Sequence, residues 1–242
     1  LADIARQTLC DLATRHQREL AKAVTANNAA AVHLHGDRIL EIIADLNTLC
    51  ATREEWLLGR WLADARAWGT TPTEQDLCER DARMLLTTWN DNVSNLNDYA
   101  NREWAGLVSG FYLPRWQQFL TALYAAVDGN TTFNETTVRT QIGAWELTWL
   151  NGHESHAGTP TGDTVAIAQA LWTKYGSEAT SGFDRATYTI GGSWTPAICS
   201  TLPVQWTRDV TSVINQTGVW VATFQYTSGN NALKISRAAL DD

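Results

Sequence analysis

The period of the apolar residues changes once along this chain, and that change constrains the fold more than any other feature. As far as Gly176 the apolar side chains recur three and four apart, the spacing of one helix face; beyond it they alternate, the spacing of one strand face. The expected fold is therefore mainly α. A multi-helix bundle or array over residues 1–176 is followed by a small antiparallel β module, a partial β-sandwich, over residues 177–242.

Eight helices are expected. Leu1, Ile4, Ala5, Thr8, Leu9 and Leu12 share one face of the first, Asn27-Asn28 interrupts, and Ile39, Ile42, Ile43, Leu46, Leu49 and Cys50 share a face of the second. Leu57, Leu58, Trp61, Leu62, Ala65 and Trp68 mark a third, ended by Gly69. Thr71-Pro72-Thr73-Glu74 combines a capping box with proline at the first helical position, so a fourth starts there and runs to about Thr88. After the polar stretch from Asn90 to Asn95, a fifth carries Tyr99, Trp104, Leu107, Val108 and Phe111. Pro114 opens a sixth, with Trp116, Phe119, Leu120, Leu123 and Val127 inward and Gly129 as its stop. Val138, Ile142, Trp145 and Trp149 mark a seventh, and Asp163 caps an eighth that ends at Gly176. In the tail, Trp220, Ala222, Phe224 and Tyr226 share one strand face. Ser228-Gly229-Asn230-Asn231 turns the chain toward Leu233 and Ile235, which makes a hairpin. Tyr188–Ile190 and Trp206–Val213 add strands, and some four strands are few for an independent sandwich.

With 44% apolar residues in 242, the chain can bury a real core. The net charge of −8, without any cluster of Lys and Arg, excludes nucleic acid and anionic membrane surfaces as partners. No apolar run approaches the roughly 20 residues that span a bilayer. The opening Leu1-Ala2-Asp3-Ile4 lacks an initiator Met and the pattern of a signal peptide, so the chain reads as a cleaved or excised segment. Asn-x-Ser/Thr sequons at Asn92, Asn130, Asn134 and Asn215 would accept glycans in a secretory protein. The expected location is secreted or extracellular, with a lysosome-like or other secretory compartment as the alternative. Cys10, Cys50, Cys78 and Cys199 have no C-x-x-C spacing and no setting that lowers a thiol pKa. Cys50 with Cys78 is the pairing one helical hairpin would bring together, and buried free thiols are the alternative.

Motifs for chemistry are few. Gly152-His153-Glu154-Ser155-His156 has the wrong spacing for a helical zinc site and reads as a solvated loop, and His33 and His35 point to different helix faces. No nucleophile elbow, Walker loop or dinucleotide fingerprint is present, so no catalytic residue, metal ligand or cofactor is assigned. Glu54, Glu55, Asp76 and Glu79 lie on helical segments, where a solvated face accounts for them. Trp89, an amide-rich turn, Leu96 and Tyr99 together suit a sugar: its apolar ring face stacks on an aromatic ring while its hydroxyls take hydrogen bonds. Core packing of the same aromatics is the competing reading.

These residues carry a family resemblance. Leu86-Thr87-Thr88-Trp89, then Asn95-Leu96-Asn97-Asp98-Tyr99-Ala100-Asn101, then Trp104-Ala105-Gly106-Leu107, closely resembles the C-terminal helical domain of the α-N-acetylglucosaminidases, glycoside hydrolase family 89. Leu57-Leu58-Gly59-Arg60-Trp61-Leu62 with Ala65-Arg66, Phe111-Tyr112-Leu113-Pro114-Arg115-Trp116 with Phe119-Leu120, and Gly162-Asp163-Thr164-Val165 look like further blocks in the same order, over residues 1–176. The resemblance implies enzymes that remove terminal α-linked N-acetylglucosamine with retention, using two Glu residues on a barrel that precedes this domain. Nothing here corresponds to that barrel. What carries over is the pocket wall: Trp89 for stacking, Leu96 for apolar closure and Tyr99 for a polar contact. The loop from Trp89 to Tyr99 is a residue longer than in the animal enzymes and carries the sequon at Asn92, where a glycan would crowd the pocket. The tail from Tyr188 to Leu240 is similar to the opening half of β modules appended to microbial hexosaminidases.

The resemblance thus implies a segment that lends a pocket wall to a barrel on another chain, or otherwise missing here, and acts on N-acetylglucosamine-terminated glycans. By itself it would be inactive. The competing reading is a free-standing carbohydrate- or partner-binding protein without hydrolysis. A segment separated from its barrel should expose a large apolar patch, and a stand-alone binder should not.

Overall fold

The computed structural model describes residues 1–90 and 98–181, together with the backbone of residues 206–216, 219–228 and 231–239. The chain divides into two compact units, Leu1–Ala179 and Thr180–Asp242. The first unit is helical. Among the described residues it holds seven α-helices: α1 (Ala2–Thr25), α2 (Ala29–Cys50), α3 (Leu58–Arg66), α4 (Pro72–Leu86), α5 (Leu113–Asp128), α6 (Glu135–Leu150) and α7 (Thr164–Thr180, whose last residue falls in the second unit).

Local chemistry sets most of the boundaries. Asn27 takes a left-handed conformation at φ 50°, and the Asn28 side chain accepts from the Ala31 amide, so α1 folds back onto α2. The capping box at Thr71 and Glu74 is complete, with Pro72 just inside α4. Asp163 caps α7 by accepting from Ala166 at 2.7 Å. Gly176 does not stop that helix. A Cβ there would lie 2.9 Å from the Trp172 ring, so the glycine lets the indole fold back along its own helix, which continues to Thr180.

The expected fifth helix does not form. Asp98 and Asn101 both take positive φ, at 60° and 47°. The amides of this stretch bond to distant partners: Asp98 to the Thr87 carbonyl at 2.7 Å, Ala105 to Trp56 at 2.8 Å and Gly106 to the Asn47 side chain at 2.9 Å. Tertiary hydrogen bonds replace the helical ladder. A π turn over Val108–Tyr112 then leads directly into α5, which opens at Leu113 with Pro114 in its first turn, as expected. Pro114 has no N–H to give Gly110, and the Leu113 amide reaching back to Val108 widens the turn around its ring.

Two apolar clusters fill the unit. One gathers Leu9, Leu12, Val32, Ile39, Ile42 and Leu49 of the α1–α2 hairpin with Leu120, Leu123 and Leu171. The other gathers Leu58, Leu62, Leu86, Phe111, Trp149 and Leu150. Leu1 and Ile4 stay exposed although they share the α1 face with Leu9, and they line a groove between α1 and α7. Trp68, expected inward, is 86% exposed, since α3 ends at Arg66.

Cys10, Cys50 and Cys78 are free, so Cys50 and Cys78 do not pair; Cys199 lies outside the described residues. The Cys50 thiol donates to the Glu103 carbonyl at 3.2 Å instead. Burial pushes Cys10 up to about 11 and Cys50 up to about 12, which leaves both unreactive at neutral pH.

A charged network ties α7 to the hairpin. Glu178 accepts from Arg38 at 2.5 Å and contacts His16 Nε2 at 2.6 Å, and His16 Nδ1 faces His35 Nδ1 at 3.0 Å. Lys174 reaches Glu41 and Asp45, both at 2.6 Å. Burial holds the His16 pKa below its ordinary 6.5, and the neighbouring His35 and Arg38 add to this against the pull of Glu178. As pH falls through the ordinary histidine range, the unfolded chain therefore takes up this proton first and the folded state loses stability. Glu178 is itself held below its ordinary 4.5: burial acts upward, and the bonds from Arg38 and His16 outweigh it, so a second loss follows as pH falls through the glutamate range. Thermal melts from pH 7.5 to 3 should show both declines. His16→Asn should flatten the first and keep the second; an unchanged profile would mean that His16 is not the group titrating.

In the second unit, β1 (Trp206–Gln216), β2 (Val219–Ser228) and β3 (Asn231–Ala239) pair antiparallel in the order β1-β2-β3. The hairpin register places Phe224 opposite Ile235 and Tyr226 opposite Leu233. Tyr188–Ile190, expected as a further strand, lies outside the described residues.

Candidate functional site

The site begins where α4 stops. Thr87 and Thr88 are buried, and the Thr87 hydroxyl donates back to the Arg83 carbonyl at 2.8 Å. The next residue, Trp89, stands at φ 57° with its amide bonded to the Met84 carbonyl at 2.9 Å. A bulky aromatic residue in the left-handed region is strained, and such strain persists only where surrounding contacts impose it. The consequence is that the indole turns away from the core and is 39% exposed.

Opposite it, the chain returns at Asp98. The Asp98 carboxylate accepts two bonds from the Arg115 guanidinium, at 2.7 and 3.3 Å, and Arg115 also donates to Glu146 at 3.0 Å. The guanidinium lies over the Phe111 ring at 5.0 Å and the Tyr112 ring at 5.2 Å. Arg115 thus clamps the returning strand of the loop to α5 and α6. Tyr99 follows directly, 69% exposed, with its ring 5.4 Å from that of Trp89 at an interplanar angle of 53°. Both residues keep a substantial part of their surface in water, and among the described residues the Tyr99 hydroxyl makes no hydrogen bond. Such a pair can take the apolar face of a sugar ring and one of its hydroxyls.

Trp89 and Tyr99 therefore come together, while Leu96 and the sequon at Asn92 lie outside the described residues. Asn130 stands at φ 48° in the turn after α5. Asn134 caps α6 by accepting from Thr137 at 3.0 Å, and Asn215 lies on β1 opposite Trp220. Sequence reasoning missed the Arg115, Asp98 and Glu146 clamp. Arg115 follows a proline and looks like any exposed arginine in a first turn, and only the loop's return gives it two acidic partners.

Of the acidic residues expected on a solvated face, Asp76 keeps half its surface in water, and Glu79 differs. Glu79 is buried against Arg83, with bonds at 2.8 and 3.0 Å, and accepts from Arg66 at 2.7 Å. The His153–His156 loop is exposed at His153, Glu154 and Ser155, as expected, and is also tethered: His153 meets Glu79 at 3.2 Å and Glu154 meets Arg83 at 3.2 Å. Gly59 on α3 permits this, because a Cβ there would fall 2.3 Å from the His156 carbonyl oxygen. His33 pairs with Asp128 at 2.9 Å, on a different face of α2 from His35.

The family model for the C-terminal domain of α-N-acetylglucosaminidase (NAGLU) matches residues 1–174. The chain belongs to this family. The human α-N-acetylglucosaminidase is 31% identical over 176 residues, which is 72% of this chain and 24% of the human protein. Two solved structures of a family 89 glycoside hydrolase from Clostridium perfringens superpose on this family domain. One, in complex with 2-acetamido-1,2-dideoxynojirmycin, has a TM-score of 0.66 at 26% identity and covers 76% of this chain and 21% of that one. The other, in complex with its substrate GlcNAc-α-1,4-galactose, has a TM-score of 0.65 at 26% identity over 73% of this chain and 20% of that one. The chain thus spans about a quarter or less of the length of these relatives. No helix among the described residues is long and apolar enough to cross a membrane.

Proposed function

We propose that this chain is the C-terminal part of a secreted α-N-acetylglucosaminidase, in which it walls the substrate pocket of a barrel carried elsewhere in the whole protein. The whole enzyme hydrolyses terminal α-linked N-acetylglucosamine with retention, by two glutamates that this chain does not supply. Residues 1–176 form the helical domain and residues 177–242 an accessory β module, with glycans on the sequons at Asn92, Asn130, Asn134 and Asn215. The apolar closure of that pocket is assigned to Leu96.

One observation carries the reading: Trp89 is held in a strained backbone conformation, partly exposed, with its ring beside that of Tyr99. Core packing does not call for such a residue, whereas a sugar platform does. An uncovered groove of about 510 Å³ between α1 and α7, with Leu1, Ile4, Val165 and Trp172 exposed along it, favours a larger partner over a free-standing binder.

The test is kinetic, on the whole enzyme with a chromogenic α-N-acetylglucosaminide. Trp89→Ala should lower kcat/KM by about tenfold or more, the loss of one stacking contact, and Tyr99→Phe by less. Both rings are exposed, so the melting temperature should hardly move. Unchanged kcat/KM in Trp89→Ala would remove this residue from the pocket wall and the reading with it.

A further inference from the structure

A second aromatic corner lies on the same helical unit. Trp61 of α3 donates its indole N–H to the Ala82 carbonyl of α4 at 3.1 Å, which fixes the ring and satisfies its polar edge. The ring is nevertheless 37% exposed. Trp104 meets it edge to face, with centroids 5.8 Å apart and planes at 63°. Between them opens a cavity of about 330 Å³, at the small end of the range for small-molecule sites, about 300–1,000 Å³. Its polar lining is Glu54, Glu55, Arg60 and Asp64, of which Arg60 and Glu54 form an ion pair.

We infer that the corner between Trp61 and Trp104 is a binding site for neutral carbohydrate, separate in its residues from the Trp89–Tyr99 pair. Two rigid indoles set at a steep angle offer one ring face and one ring edge, which fits the apolar face of a pyranose lying in the corner. The carboxylates accept from sugar hydroxyls and the guanidinium donates to them. Glu55 also accepts from the Arg53 guanidinium at 2.7 Å, so three carboxylates meet two guanidinia and the corner keeps one net negative charge, which disfavours sulfate, phosphate and uronate groups. A neutral sugar is the class that satisfies both the rings and the charge. The inference does not require Trp89 and Tyr99 to face a catalytic barrel.

The experiment uses the full 242-residue chain and tryptophan indole NMR, with the Trp61 and Trp104 signals assigned by Trp61→Phe and Trp104→Phe. The probes are GlcNAc-α-1,4-galactose and the same disaccharide carrying one sulfate. The neutral probe should move the signals of Trp61 and Trp104, in the parent and in Trp89→Ala alike. Trp61→Ala should weaken this binding about tenfold, equivalent to ~1.4 kcal/mol. Asp64→Ala, an exposed change that leaves the fold intact, should weaken it several-fold. The sulfated probe should bind more weakly, and high salt should narrow the gap. Indole signals that stay in place up to the solubility limit of the neutral probe would overturn the inference. So would parent-like affinity in Asp64→Ala together with Trp61→Ala, or tighter binding of the sulfated probe. None of these outcomes bears on the kinetic test of Trp89, so the two readings fail separately.

Discussion

Replacing Arg115 with alanine should destabilise the helical unit by about 3 kcal/mol. Removing one partner of a buried ion pair costs about 3–5 kcal/mol, because the other charge loses its opposite charge. The lower end applies, since the Arg115 side chain keeps 21% of its surface in water while Glu146 keeps only 3%. Burial already lifts the Glu146 pKa above its ordinary value against the opposing pull of Arg115. A raised carboxyl stabilises the fold most when protonated, so this contribution is lost as pH rises. In Arg115→Ala the opposing pull disappears and that loss should steepen. Urea denaturation at pH 5 and pH 7.5 checks both points, and Glu146→Gln in the Arg115→Ala background should recover much of the deficit. The same variant frees Asp98 and with it Tyr99, so the Trp89–Tyr99 pair should lose its geometry even in molecules that remain folded. A loss below about 1 kcal/mol would show that the clamp is the weak, water-screened kind of pair.

Arg83→Met should cost more, about 4–5 kcal/mol. The Arg83 side chain is fully buried; its guanidinium bonds Glu79, the Glu154 side chain and the carbonyls of Trp149 and Glu154, and lies 4.7 Å from the centre of the Trp149 ring. Methionine keeps much of the stem and removes every one of these bonds, which leaves Glu79 with Arg66 and His153 alone. Burial pushes the Glu79 carboxyl up, and the bonds from His153, Arg83 and Arg66 outweigh it and hold the pKa below its ordinary value. Part of the parent's stability is therefore present above the ordinary glutamate range and disappears as pH falls through it, and Arg83→Met should shrink that acid limb. The loop around His153 and Glu154 should also open, visible as faster amide hydrogen exchange there than in α1 and α2. A variant within 1 kcal/mol of the parent would mean that the remaining cation and the imidazole suffice for Glu79.

Much of the helical unit was legible in the residues themselves. The three-and-four periodicity of α2, α5 and α6, the capping box at Thr71 and the cap at Asp163 are local signals, because they depend on residues within one or two turns of each other. The stretch from Asp98 to Leu107 was not legible, although its apolar spacing suits a helix. Its amides are claimed by Thr87, Trp56 and Asn47, and no window of sequence shows that partners so far along the chain will be in reach. The same holds for the buried charges. Glu79 read as part of a solvated helix face, and only the return of the 151–158 loop over Gly59 takes it and Arg83 out of water.

The candidate site divides in the same way. Trp89 and Tyr99 stand out from the sequence, as an aromatic residue and a phenol flanking an amide-rich turn, and they pointed to the family. Their mutual arrangement was a tertiary outcome, since it rests on a tryptophan forced to positive φ and on one arginine holding the far end of the loop through Asp98. Local hydrogen bonding and apolar periodicity by themselves determined which segments are helical and where most of them begin. Which aromatic rings stay in water, and which charges leave it, only the packing of distant segments decided, because burial is a property of the assembled surface and not of any stretch of chain.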